Sequence, residues 1–285
     1  MAGLIERIVP RAATAHAEAE PQHLAERDGY GALLTVIVPV YNEAATVDEL
    51  LRSVVDVPLD MQVLVVDDGS TDGTTGVLER WEGHPVVELL AHSRNSGKGA
   101  AIRTGLEQAQ GKYTLVQDAD LEYDPRDYLC LLEPLLAGEA DVVYGSRYLR
   151  SRTAIRENSG EADPETTLLT AARTLTSPAT PPWTTFRIGV CALNAATRWL
   201  YGARLTDEAT CYKLFRTETL RAMRLECERF EFCPEVTAKA CRMGLHIAEV
   251  PVGYCPRGAA EGKKIRLRDG IEALKTLWRW RKWSR

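Results

Sequence analysis

The first half of the chain repeats one alternation of apolar patterns. Residues 33–40 (LLTVIVPV) form an unbroken, mostly β-branched run, the mark of a strand buried on both faces. Residues 44–55 (AATVDELLRSVV) then space their apolar side chains helically. A second buried run, 62–66 (QVLVV), stops at Asp67-Asp68-Gly69-Ser70, with Asp72 placed to cap the helix that follows. Residues 86–90 read as a third strand, 97–108 as a helix opened by glycines, and 113–117 as a fourth strand running into Asp118-Ala119-Asp120. Strand, loop, helix, strand, three times over, predicts βαβ units, right-handed crossovers and a mostly parallel, Rossmann-like α/β sheet flanked by helices.

Around this core the pattern changes. Residues 1–30, rich in Ala and Glu, read as an N-terminal arm. Residues 151–182 carry Ser, Thr, Pro and Glu without periodicity and read as a long insertion. Helical spacing returns over 186–200, a turn feeds a helix over 230–241, and 247–254 (IAEVPVGY) is a late strand. The final segment, 266–285, reads as a basic, aromatic amphipathic helix holding three of the six tryptophans. This gives an arm (1–30), a main α/β domain (31–265, divided into 31–150, the insertion 151–182 and 183–265) and a C-terminal helix (266–285).

In parallel sheets ligands bind beyond the carboxyl ends of the strands. The unusual polar clusters all fall there: Tyr41-Asn42-Glu43, Asp67-Asp68-Gly69-Ser70, Asn95-Ser96-Gly97-Lys98-Gly99 and Asp118-Ala119-Asp120. Four clusters after four strands predict one site. Asp118 and Asp120, a D-x-D pair, suit a hard divalent cation such as Mg²⁺ or Mn²⁺, which takes oxygen ligands and shares them with phosphates; a solvated acidic turn is the plainer reading. Asp68 is read as a ligand contact. The 95–99 stretch resembles a phosphate cradle, with glycines that admit backbone N–H groups and Lys98 supplying charge. Neither G-x-x-x-x-G-K-[ST] nor G-x-G-x-x-G occurs.

Composition narrows the class. With 45% hydrophobic and 26% charged residues, the chain is an ordinary globular protein and not a disordered or collagenous one. Neither an apolar run of spanning length nor a secretory h-region appears, and seven irregularly spaced cysteines without C-x-x-C argue against a disulfide framework or a zinc site. A cytoplasmic location follows as the expectation. The net charge of −5 hides an asymmetry: residues 257–285 hold ten Lys or Arg against three acids, so this tail is +7 and the remainder −12. Tryptophans among cations suit a membrane–water interface, and the expected location is peripheral, at its inner face. A packed basic helix is the alternative. Nucleic acid is excluded as a partner because no base-reading module accompanies the patch.

The ordered series then resembles a known family. Pro39-Val40-Tyr41-Asn42-Glu43, Val65-Val66-Asp67-Asp68-Gly69-Ser70-Thr71-Asp72, Asn95-Ser96-Gly97-Lys98-Gly99, Gln117-Asp118-Ala119-Asp120 and Gly145-Ser146-Arg147 look like glycosyltransferase family 2. Leu205-Thr206-Asp207, Thr210-Cys211-Tyr212-Lys213, Phe230-Glu231-Phe232 with Pro234-Glu235, and Glu261-Gly262-Lys263-Lys264-Ile265 resemble its polyprenyl-phosphate, dolichyl-phosphate mannosyltransferase-like branch. Each motif is weak alone; their order is specific. The resemblance implies a GT-A fold and inverting transfer of a hexose from a UDP- or GDP-sugar to a polyprenyl phosphate. It implies that Pro39, Tyr41, Glu43 and Asp68 hold the nucleoside, and that Asp118 and Asp120 hold the metal and diphosphate, with Glu122 as a further metal contact where the branch often has Gln. Arg147 would meet phosphate, and Arg257, Lys263 and Lys264 would lie on a closing basic loop. Asp207 would be the base for a hydroxyl acceptor; for an ionised phosphate acceptor it would only position, and as a helix cap it would do neither.

Two departures fall on the acceptor side. Asp207-Glu208-Ala209-Thr210 lacks the acid usual just before Thr210, and Cys233 stands where an acid is common before Pro-Glu. A soluble or glycan hydroxyl acceptor is therefore the rival enzyme reading, and an inactive nucleotide-sugar-binding protein the non-enzyme one.

Overall fold

The structure, a computed structural model, describes residues 29–149, 185–257 and 267–284. Most of the expected arm, the 151–182 insertion, Lys263 and Lys264 lie outside them. The chain packs as two compact units, Met1–Ala119 with Leu214–Arg229, and Asp120–Lys213 with Phe230–Arg285. This packing division falls at Ala119 and returns Leu214–Arg229 to the first unit, whereas the expected halves are 31–150 and 183–265.

In the first unit, strands β1 (Ala32–Val40), β2 (Met61–Asp67), β3 (Val87–Ala91) and β4 (Gly111–Val116) lie in the order β3-β2-β1-β4, all parallel. Val36 sits between Val63 and Leu115 in register. Leu34, Val36, Ile37, Val38 and Val63 to Val66 are fully buried, which explains their unbroken apolar run: neither strand has a solvent face. Each such side chain contributes about 1.5–3 kcal/mol. Helices α1 (Val47–Val55), α2 (Thr74–Leu78) and α3 (Lys98–Gln108) join the strands. Helix α1 buries Val47, Leu50, Leu51 and Val54, the i, i+3, i+4, i+7 stripe. It begins three residues later than its periodicity predicts because residues 42–44 are tied elsewhere: the Asn42 and Ala44 amides donate to the Ser70 hydroxyl (3.0 Å) and Asp72 carboxylate (3.2 Å). A strand unforeseen in the sequence, β6 (Lys213–Arg216), runs antiparallel to β4 through Phe215 and Arg216.

The second unit holds a helix and a strand that the sequence reading also missed, α4 (Tyr128–Leu136) and β5 (Val142–Ser146). Strand β7 (Ile247–Pro251) pairs parallel with β5. It stops short of the expected residue 254, and Tyr254 keeps only a bridge to Tyr123. Helices α5 (Thr185–Tyr201), α7 (Phe232–Arg242) and α8 (Leu267–Trp280) pack around Leu193, Ala238, Ala273, Leu277 and Trp280. Short α6 (Thr217–Ala222) follows β6 in the first unit. The C-terminal helix is present, but its tryptophans divide: Trp280 is buried, Trp283 packs on the same cluster, and Trp278 is exposed.

Candidate active site

Because β1, β2, β3 and β4 are parallel, the segments following them emerge at one end of the first unit's sheet. Asp67 holds its own turn, accepting from the Ser70 amide (3.0 Å) and the Thr75 hydroxyl (2.8 Å). Asp72 accepts from the Thr74 amide at 3.0 Å, one position outside the Gly73 N-cap of α2, so it braces that helix start much as expected. Glu43 is nearly buried and accepts from the Thr46 hydroxyl at 3.0 Å, while its amide donates to Thr74 Oγ1 at 2.9 Å. Pro39 and Tyr41 are partly exposed beside it.

Asp68 departs from its expected role as a simple ligand contact. It is buried, and its carboxylate accepts from His92 Nδ1 (2.7 Å), the Ser96 amide (2.8 Å) and the Gly97 amide (2.7 Å). His92 in turn bonds Thr104 on α3 through Nε2, at 2.9 Å. One carboxylate thus fixes the loop between β3 and α3.

The same geometry corrects the phosphate-cradle reading of 95–99. The Ser96 and Gly97 amides go to Asp68, the Gly99 amide donates to the Arg229 carbonyl (2.8 Å) and the Ala100 amide to the Glu228 carbonyl (3.0 Å). These donors are spent within the chain, two on the Asp68 carboxylate and two on backbone carbonyls. The glycines admit that backbone: a Cβ on Gly99 would lie 2.7 Å from the Cys227 carbonyl, and one on Gly97, at φ +99°, would strike the Glu228 oxygen. Lys98, the charge of this stretch, pairs with Asp118.

In the second unit, Asp120 accepts from the Glu122 amide (3.2 Å) and pairs with Arg257 (3.2 Å). Glu122 is not a spare ligand. Its two carboxylate oxygens accept from the Tyr254 hydroxyl and the Arg257 amide, each at 2.8 Å, and its carbonyl accepts from the Cys255 amide. It anchors the segment that carries Arg257. Among the described residues no group of three or more His, Cys, Asp or Glu is arranged to hold a metal.

Arg147 and Asp207 form a buried ion pair in the second unit. The guanidinium holds both carboxylate oxygens, Nε and Nη2 each at 2.7 Å, and the Arg147 amide adds a third bond at 3.0 Å. Tyr123, Tyr148 and Tyr254 surround the guanidinium, with ring centroids 5.0–6.0 Å away. Glu249, which the sequence reading passed over, accepts from the Thr206 and Asp207 amides (2.8 and 3.0 Å) and so presents Asp207 to Arg147. A lone acid in the apolar run IAEVP was its signal.

A buried polar network lies close in sequence. Glu208 is fully buried, and neither carboxylate oxygen has a hydrogen-bond partner of good geometry; Lys213 Nζ donates to its backbone carbonyl instead (2.6 Å). Burial pushes the Glu208 carboxyl above the usual range, against the opposing pull of Lys213. On α7, Glu235 and Lys239 pair at 2.5 Å with both side chains buried, and the ammonium lies 3.8 Å from the Trp280 ring centroid. Their i, i+4 spacing reads in sequence as a surface pair, which concealed them.

Comparison with known proteins identifies this arrangement. Glycosyl transferase family 2 matches residues 35–196. The chain is 30% identical over 256 residues to an undecaprenyl-phosphate mannosyltransferase of Micrococcus luteus, covering 86% of this chain and 92% of that one. It is 28% identical to the glycosyltransferases AglD and AglJ of Haloferax volcanii, over 87% and 82% of its own length; it spans 37% of AglD and 67% of AglJ. Glucosyl-3-phosphoglycerate synthase of Mycobacterium tuberculosis, solved with UDP, shares the fold at a TM-score of 0.60 and 20% identity, covering 94% of this chain and 87% of that one. The S. aureus TarS fragment bound to UDP-GlcNAc does so at 0.54 and 19%, covering 87% and 66%. The fold is therefore GT-A, and the protein, carrying the family's acidic clusters at its parallel strand ends, belongs to glycosyl transferase family 2 as a glycosyltransferase with polyprenyl-phosphate sugar transferases among its relatives.

Proposed function

We propose that this enzyme moves a hexose from a UDP- or GDP-sugar to a polyprenyl phosphate at the cytosolic face of a membrane, with inversion at the anomeric carbon. The observation that carries the acceptor assignment is the Arg147–Asp207 pair. A hydroxyl acceptor needs a base, and Asp207, the candidate, is enclosed with both oxygens committed to Arg147. A phosphate acceptor arrives ionised and needs none. The named activity of the Micrococcus luteus relative supports the same choice.

In this reading Pro39, Tyr41 and Glu43 border the nucleoside, and Asp68 serves it by fixing the 95–97 loop. Asp118 and Asp120 are hard oxygen donors that fit Mn²⁺ or Mg²⁺, and each already has a cationic partner, Lys98 and Arg257. A neighbour of the same fold was solved with Mn²⁺ and UDP-glucose. The bound cation would supply Lewis-acid stabilisation of the leaving diphosphate. Lys98 and Arg257, displaced from their carboxylates, would turn to the donor phosphates, joined by Lys263 and Lys264. The acceptor phosphate oxygen attacks the anomeric carbon from the face opposite the breaking bond to the diphosphate, and Arg147, whose charge Asp207 already balances, would position the acceptor phosphate rather than neutralise it. Residues 31–150 would thus serve the donor and 183–265 the acceptor, with the C-terminal helix at the membrane surface.

A screen of UDP-glucose, UDP-GlcNAc and GDP-mannose, with Mn²⁺ or Mg²⁺ and a short-chain polyprenyl phosphate, tests this beside Asp120→Asn. Transfer to the lipid, lost in the variant, is the expected result. Donor turnover with sugar going only to hydroxyl compounds or water would overturn the acceptor assignment.

A further inference from the structure

We propose that helices α5 and α8 together form a bilayer-docking facet of the second unit, built around the stacked indoles of Trp199 and Trp278. This deepens the membrane part of the proposed function and rests on it. Helix α8 has two apolar stripes. Ala273, Leu277 and Trp280 face the core, whereas Ile271, Leu274 and Trp278 are 52%, 39% and 49% exposed. At about 100° per residue the stripes lie roughly a third of a turn apart, so one helix can pack and still present an apolar edge.

Helix α5 repeats the device. Val190 and Leu193 turn inward, while Ile188 (60% exposed) and Trp199 (76% exposed) lie on one outer face with Ala192 and Ala195 between them. Spacings of four, three and four residues keep these on one line. The two edges meet where the Trp199 and Trp278 rings stack, 6.1 Å between centroids and 10° between planes. The Tyr201 hydroxyl donates to the Leu277 carbonyl (2.5 Å) and ties the helices together beneath.

Charge selects the occupant. Arg268, Lys275, Arg279, Arg281 and Lys282 border the α8 edge against Asp269 and Glu272 alone, and the described side chains of α5 add Arg187 and Arg198 with no acid. Arg281 lies 3.9 Å from the Trp278 ring centroid, its charge beside the indole. Exposed indoles and aliphatics rimmed by cations match an anionic lipid surface, apolar below and negative at the headgroups. A second copy of the same facet would set cation against cation.

The test is co-sedimentation of the full chain with phosphatidylcholine vesicles, with and without phosphatidylglycerol and without polyprenyl phosphate. The variants are Ile188→Ser with Trp199→Ser on α5, and Ile271→Ser with Trp278→Ser on α8; circular dichroism and thermal melting verify their folding. We expect salt-sensitive binding to the anionic vesicles only, weakened at least about tenfold by either pair. Turnover of a detergent-dispersed short-chain acceptor should be unchanged in both. Unaltered vesicle binding by the α5 pair would overturn the composite facet and leave α8 acting alone. Absence of wild-type binding, or a dimer in light scattering that the Trp199 change dissociates, would overturn the lipid assignment. Vesicle binding without any lipid-linked product would instead remove the acceptor reading and keep the facet.

Discussion

Arg147 grips both carboxylate oxygens of Asp207 and adds a bond from its own amide, with the guanidinium 6% and the carboxylate 0% exposed. A buried pair of this kind is costly to break from one side, because the survivor is left as an uncompensated charge. Asp207→Asn should lower unfolding free energy by about 3–5 kcal/mol in urea titrations. Arg147→Met combined with Asp207→Asn should recover part of that loss. No recovery in the double variant would refute the buried-pair account.

Asp118 and Asp120 give a prediction of opposite signs. Asp118→Asn and Asp120→Asn should each weaken Mn²⁺-dependent UDP or GDP binding by more than the roughly 10–100-fold typical of losing an outer-shell partner. Lys98→Ala removes the cation that competes for Asp118. It should tighten Mn²⁺ binding without nucleotide while weakening the nucleotide sugar itself. Isothermal titration with and without chelator reads both. Weaker metal binding in Lys98→Ala would refute the competition.

Gly99→Ala tests the corrected role of the 95–99 loop. The added methyl meets the Cys227 backbone at 2.7 Å, and backbone yields poorly. The variant should lose about 1–3 kcal/mol of stability, as overpacked sites do. A phosphate cradle would lose affinity for the donor and keep its stability; differential scanning calorimetry beside donor titration separates the two.

Glu208 should make stability pH-dependent. Its carboxyl titrates above the unfolded value because burial penalises its charged form. The native state therefore holds a proton that the unfolded state has released, and stability falls as pH rises from about 4.5 through the folded pKa. Glu208→Gln should flatten that slope and gain about 1–3 kcal/mol above it. Chemical denaturation from pH 5 to 8 measures both slopes; equal slopes would show that Glu208 does not titrate in this range.

The sequence made the first unit legible because its parallel strands are covered on both faces and so appear as unbroken β-branched runs. The polar clusters stood out because each interrupts such a run. Helix α4 was hidden by the opposite condition: YLCLLEPLL is apolar on nearly every side and contains Pro134, so no period shows. Strand β6 is four residues long and too short to declare itself. Residue chemistry misled where the partner was the chain itself. Glycines at 97 and 99 do admit close backbone, but that of 227–229. Glu122 offers oxygens, but to Tyr254 and Arg257. Periodicity and residue type show what a segment can bind, and only the fold shows what has already bound it.

The return of Leu214–Arg229 to the first unit sets an order of events during synthesis. Strands β1 to β4 leave the ribosome early, yet β6, α6 and the 227–229 carbonyls that close on Gly99 and Ala100 follow only after Asp120–Lys213 has been made. At about 5–20 residues per second this is a wait of several seconds. Through it the outer edge of β4 lacks its antiparallel neighbour and the start of α3 lacks its carbonyl partners. The segment begun first is completed late, and the nascent enzyme has to keep an open sheet edge from pairing with other chains until Arg216 emerges.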